Sequence, residues 1–130
     1  MNRPPMARPA MTLTAVVLGT TDAGKLAAFY RDLLGWGARA EEPDWVALAD
    51  PAGGAGLSFQ EERGHVPPVW PAGPNDQQMM MHLDIEVADL AAAGAHAVAC
   101  GATLAEFQPQ AHVRVYLDPE GHPFCLWVAS

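Results

Sequence analysis

The sequence predicts an α+β fold made of two tandem βαβββ modules, and three observations carry that prediction. The elements legible in the hydrophobic pattern run strand, helix, three strands, and then the same order again. Each half holds a D-P-x-G turn, at Asp50–Gly53 and Asp118–Gly121. Landmarks recur at a near-constant offset: Asp22 and Asp89 lie 67 residues apart, Gly35 and Gly101 lie 66 apart, and Asp50 and Asp118 lie 68 apart. Module one is expected over about residues 11–62, a linker loop over 62–78 and module two over about 79–130, in one domain.

The elements follow in order. Residues 1–10, M-N-R-P-P-M-A-R-P-A, have three prolines and no periodicity, so a flexible tail is expected. Leu13–Thr20 is rich in β-branched and aliphatic residues and reads as a strand. Asp22–Gly35 carries Leu26, Phe29, Tyr30, Leu33 and Leu34 at helical spacing, with Thr21 or Asp22 as N-cap and Gly35 as stop. Strands are expected over Trp36–Glu41, Trp45–Ala49 and Gly56–Glu61. The polar loop that follows contains Pro67, Pro68, Pro71, Pro74 and Trp70. In the second half, strand Met79–Val87 precedes an alanine-rich helix over Asp89–Cys100, and strands Thr103–Phe107, His112–Leu117 and Phe124–Ala129 complete the module.

Composition narrows the function. A formal net charge of −8 with Lys25 as the only lysine leaves no basic stripe to replace counterions on phosphates, which excludes nucleic acid and anionic membranes as partners. No apolar run approaches a membrane span and no secretory leader is evident, so a cytoplasmic location is expected. Cys100 and Cys125 are read as free thiols.

The stretch M-M-M-H-L-D-I-E-V, Met79 to Val87, is the most informative. Strand alternation puts Met79, Met81, Leu83, Ile85 and Val87 on one face and His82, Asp84 and Glu86 on the other. An apolar face packed on a helix leaves the imidazole and both carboxylates facing solvent or a wet cavity.

F-Y-R-D-L-L-G-W at Phe29–Trp36 and D-P-E-G-H-P-F-C-L at Asp118–Leu126, on a doubled βαβββ frame, resemble the vicinal oxygen chelate superfamily of glyoxalases, ring-cleaving dioxygenases and bleomycin-binding proteins. Phe59-Gln60, Pro68–Pro71 and His82–Val87 are similar to its small glyoxalase-like proteins. The resemblance implies a curled eight-stranded mixed sheet enclosing the site, helices outside, and a homodimer. It also implies metal ligands, usually His and Glu, on the first, fourth, fifth and eighth strands. Here those positions fall on Ala15, on Gly56 or Ser58, on His82 and on Cys125. One strong ligand and one thiol remain, so no cofactor is expected; a divalent or soft metal, if one binds, is assigned to His82 and Cys125 with Asp84 or Glu86 rotated in.

The expected ligand-binding residues are Ala15, Val17, Ser58, Gln60, Trp70, His82, Asp84, Glu86, Arg114, Tyr116, Cys125 and Trp127, a mixed lining suited to a small planar or amphipathic molecule. Inward acids favour a cationic or hydroxyl-rich ligand. The leading reading is a metal-free small-molecule-binding protein that sequesters a natural product or toxin. The alternatives are a metal-dependent lyase, isomerase or dioxygenase using His82, and a metal-free proton-transfer enzyme with His82 and Glu86 as catalytic acid and base.

Overall fold

The computed structural model describes residues 7–129; residues 1–6 of the expected tail lie outside them. The order is β1 (Ala15–Thr20), α1 (Ala23–Leu34), β2 (Gly37–Glu42), β3 (Trp45–Ala49), β4 (Gly56–Glu61), β5 (Leu83–Glu86), α2 (Leu90–Cys100), β6 (Thr103–Leu104), β7 (Val113–Leu117) and β8 (Pro123–Trp127). This is βαβββ twice. The sheets are β1-β4-β3-β2 and β5-β8-β7-β6, each with one parallel pair, β1 with β4 and β5 with β8. The eight strands therefore form two four-stranded sheets that are not closed on one another.

Both helices end as their caps dictate. The Asp22 carboxylate accepts from the Lys25 amide and Asp89 from the Ala92 amide, which satisfies first-turn donors. Gly35, at φ 72°, closes α1 in the left-handed region open to glycine. The twin turns are also present, with the Gly53 amide on Asp50 O and the Gly121 amide on Asp118 O.

Three strands differ from expectation. Met79–His82 is not in a strand, and Met80 and Met81 are 89% and 71% exposed. Leu83 pairs with Phe124, so His82 falls opposite Pro123, which has no amide hydrogen, and the residues before it would face the turn, where no ladder partner exists among the described residues. Leu13 likewise precedes β1 and is exposed. The sixth strand stops at Leu104 because the Gln108 side chain takes over the ladder: its amide nitrogen donates to Ala105 O and Val115 O, and its oxygen accepts from the Val115 amide.

One core serves both modules. Tyr30 stacks on Phe59 at 5.5 Å, Phe29 meets Tyr30 edge-on at 4.8 Å, and both approach Phe124 of module two at 6.0 and 6.3 Å. Such pairs add about 0.5–1.5 kcal/mol each to their burial. The two modules thus pair within a single chain.

Polar contacts fasten the same seam. Asp118, whose side chain is fully buried, accepts from the Tyr30 hydroxyl at 2.8 Å, from the Glu120 and His122 amides, and from His122 Nδ1. Burial, then the Asp118 charge and hydrogen bond, push the Tyr30 phenol well above its ordinary value, so it remains a donor. Burial alone would lower the His122 pKa, but the hydrogen bond and charge of Asp118, the Gly19 backbone and the Glu120 charge together raise it. Glu120 reaches back to the Thr20 and Thr21 hydroxyls and the Thr21 amide; although burial opposes ionisation, those donors and His65 hold its carboxyl below the ordinary range. The linker loop docks on this corner, with the His65 ring 5.0 Å from His122 and Pro67 so close to Gly121 that a Cβ there would stand 2.8 Å from it.

Candidate functional site

Each sheet has one face on the helices and one free of them, and core membership shows which is which. Val16, Leu18, Val46, Leu48, Leu57 and Phe59 belong to the shared core. The alternate residues of those strands, Ala15 and Val17, Trp45 and Ala47, and Gly56, Ser58 and Gln60, therefore lie on the helix-free face. In module two Leu83, Ile85, Tyr116, Phe124 and Leu126 pack inward on the helices. The helix-free residues are Asp84 and Glu86, with the His82 side chain brought beside Asp84 from just before the strand, then Cys125 and Trp127, and then Val113 and Val115.

Register brings part of the expected set together. Asp84 pairs with Cys125 and Glu86 with Trp127 across the parallel β5–β8 ladder, while Ala15 pairs with Gly56 and Val17 with Ser58 across β1–β4. His82 Nε2 lies 3.0 Å from Asp84 Oδ1. Donor atoms of His82, Asp84 and Cys125 all lie within 4.8 Å of one another. Burial pushes the Cys125 thiol above its ordinary value, and the charge and hydrogen bond of Asp84 act in the same direction. The thiol is held protonated at neutral pH, unlike an activated nucleophile.

Two expected lining residues face the other way. Arg114 pairs with Leu126 and Tyr116 with Phe124, so both point to the helix side, where Tyr116 is 6% exposed and stacks on Phe124 at 5.9 Å. The polar members of V-R-V-Y-L suggest a wet inner face, but Gly94 of α2 makes room for the phenol: a Cβ at Gly94 would overlap the Tyr116 hydroxyl. Val113 and Val115 take the inward places instead. Trp70 is held by module two, its indole donating to Phe107 O at 3.2 Å with the rings 6.0 Å apart. Gln60 Nε2 donates to the Glu62 carboxylate.

Besides Val113 and Val115, Trp45 is a helix-free residue that sequence reading missed. Its signal was available, because Val46 and Leu48 are core residues and alternation then turns Trp45 outward.

A hollow of about 100 Å³ lies between β1 and the chain around His82 and Pro123, lined by Val16, Leu18, Tyr30, His82, Leu83 and Pro123 among others. It is below the roughly 300 Å³ that a drug-sized ligand occupies. It is therefore too small to hold such a ligand by itself; His82 joins it to the helix-free face of the second sheet, where Asp84 and Glu86 are exposed and Val115 is buried.

The donors also decide which metal suits the site. All three belong to module two, whereas Ala15 offers no ligand atom and a Cβ at Gly56 would run into the Leu48 carbonyl. The four-ligand centre implied by the resemblance does not fit these residues. One nitrogen, one oxygen and one sulfur suit a borderline-soft ion such as zinc, which would supply Lewis acidity. Binding it would require removing the proton that burial and Asp84 hold on Cys125.

Comparison with known proteins agrees with the fold. No curated protein matches the chain. A glyoxalase/bleomycin resistance protein/dioxygenase family enzyme from Burkholderia phytofirmans PsJN is 19% identical, with a TM-score of 0.72 over 92% of this chain and 100% of that one. A glyoxalase-related enzyme from Fulvimarina pelagi is 18% identical, with a TM-score of 0.66 over 92% of this chain and 89% of that one. A glyoxalase/bleomycin resistance protein from Albidiferax ferrireducens T118 is 19% identical, with a TM-score of 0.62 over 90% and 98%. The family model for the glyoxalase-like domain matches residues 15–127. With that match spanning nearly every element of both modules, the chain belongs to the glyoxalase-like domain family of the vicinal oxygen chelate superfamily.

Proposed function

We propose that the chain is a small-molecule-binding protein that holds a planar organic cation or a hydroxyl-rich compound, a natural product or toxin, on its helix-free face without the four-ligand metal of its superfamily. The observation that carries this reading is the Glu86–Trp127 register pair: a carboxylate beside an indole on the same strand face, with Asp84 one step along. A carboxylate and an aromatic ring together attract a cation by charge and by the ring quadrupole. In this reading the protein acts in the cytoplasm as a homodimer, whose second copy gives cover to an otherwise open face. Titration with ethidium and other planar aromatic cations, followed by tryptophan fluorescence, tests it. Saturable quenching that Glu86→Gln weakens is expected, and no quenching by any of the cations would contradict it.

The clustering of His82, Asp84 and Cys125 favours one other reading, a zinc-type site on module two serving lyase, isomerase or dioxygenase chemistry. Zinc calorimetry on tag-free protein separates the two. Tight one-to-one binding abolished by Cys125→Ser supports the metal; heats no larger than dilution support the metal-free reading.

A further inference from the structure

The turning of Arg114 and Tyr116 to the helix side creates a second feature on the opposite surface. An open groove of about 640 Å³ runs between α2 and β6–β7, lined by Leu90, Gly94, Val98, Leu104, Arg114 and Tyr116 together with alanines of α2. Its volume falls in the range of about 300–1,000 Å³ typical of small-molecule sites. The walls are apolar and open, since Val98 and Leu104 are 52% and 51% exposed.

Two polar groups in this groove retain hydrogen-bonding capacity. The Tyr116 residue is 94% buried, and its hydroxyl has no hydrogen-bond partner among the described residues. No enclosed side-chain polar atom among those residues lacks a partner, so this hydroxyl reaches solvent. Arg114 Nη1 is fixed by the carbonyls of Gln110, Ala111 and Val113 at 2.9–3.0 Å, while Nη2 and Nε have no protein acceptor among the described residues. Arg114 makes no ion pair there either, in a chain of net charge −8, and no acidic side chain lines the groove. A guanidinium with donors to spare and a phenol, set in an apolar trough, are complementary to a carboxylate that carries a hydrocarbon.

We propose that this groove is a second ligand site, distinct from the helix-free face, which takes a small amphipathic carboxylate. Its anion is held by Arg114 and Tyr116, and its hydrocarbon lies along Leu90, Val98 and Leu104. The test uses the full chain and octanoate below its micellar range, with octan-1-ol as the uncharged control, followed by amide NMR shifts. Saturable shifts confined to residues 90–98, 103–104 and 114–116 are expected. Octan-1-ol should bind at least about tenfold more weakly, as loss of a charge-assisted contact implies. Val98→Glu, at an exposed position that tolerates the change, should weaken octanoate by a similar factor through like charge. Tyr116→Phe should weaken it about threefold to tenfold. The proposal is overturned by the absence of saturable shifts, by shifts centred on His82–Cys125, or by equal binding of octanoate and octan-1-ol. It is equally overturned if the groove amides move with protein concentration alone, which would make the occupant a second copy of the chain.

Discussion

Tyr30→Phe deletes one oxygen and tests how the two modules are held together. The ring stays, with its stacking on Phe59 at 5.5 Å and its edge contact to Phe29 at 4.8 Å, so the loss is confined to the 2.8 Å hydrogen bond to Asp118 Oδ2. Both partners are fully buried, which prevents water from replacing the donor. A hydrogen bond to a buried charge contributes about 1.5–3 kcal/mol, and Asp118 keeps its His122 and main-chain donors, so about 2 kcal/mol is expected. For a chain of this size that lowers Tm by roughly 5–10 °C. Urea unfolding at pH 7 should show a lower midpoint at unchanged slope. In a cycle with Asp118→Asn, the two losses should be less than additive by 1 kcal/mol or more, on the order expected for groups in contact. A Tyr30→Phe loss below about 0.5 kcal/mol, or strict additivity in the cycle, would refute the reasoning that Asp118 joins the modules.

Three further outcomes follow from the same structure. His122 has a folded pKa that, against burial, the Asp118 hydrogen bond and charge, Gly19 and Glu120 together raise above its ordinary 6.5, so its charged contribution is complete below that value and is lost as pH rises through the folded pKa; the stability advantage of the wild type over His122→Asn, roughly 1 kcal/mol at pH 6, should shrink by pH 9, and a gap that stays constant or widens contradicts it. Gly56→Glu, which would return a carboxylate to the fourth strand, should destabilise the chain by about 2–4 kcal/mol because the new Cβ meets the Leu48 carbonyl, and it should leave zinc heats unchanged; a stable variant with new zinc affinity would count against that backbone argument. Cys125 should react slowly with iodoacetamide at pH 7.4 by peptide mass spectrometry, and Asp84→Asn should speed it, since removal of the charge lowers the thiol pKa; no change in rate would show that Asp84 does not act on the thiol.

How much of this was legible depended on whether the signal was local. α1 was readable nearly to the residue, because Asp22 and Gly35 act within one turn of their own helix. The βαβββ order and both turns were legible for the same reason. The polar face of Leu83–Glu86 was also placed correctly, since Leu83 and Ile85 alternate without ambiguity. For V-R-V-Y-L either face could pack inward, and the choice was made by Gly94, a residue of another element that leaves a hole for one phenol. The apolar run Met79–Met81 extends the strand pattern of Leu83–Glu86 yet has no ladder neighbour among the described residues, which no local pattern reveals. Asp118 and Glu120 had been visible only as turn residues; their partners Tyr30, Thr20 and Thr21 lie 88 to 100 residues away in sequence. The candidate site was therefore half readable: His82, Asp84, Glu86, Cys125 and Trp127 share a face as expected, alternation in β3 could have turned Trp45 to the helix-free side of its own sheet, and Val113 and Val115 take their places through register alone.

The indole NMR signals of the four tryptophans offer the most direct measurement of ligand binding on the helix-free face. Trp45 and Trp127 lie on the helix-free sides of the first and second sheets respectively, Trp36 packs against the core on the helix side, and Trp70 is tied to Phe107. On titration with ethidium the account predicts that the Trp45 and Trp127 resonances shift saturably, with Trp127 moving furthest because Glu86 is its register partner, while Trp36 and Trp70 stay in place. Stationary Trp45 and Trp127 signals, or shifts confined to Trp70, would contradict it.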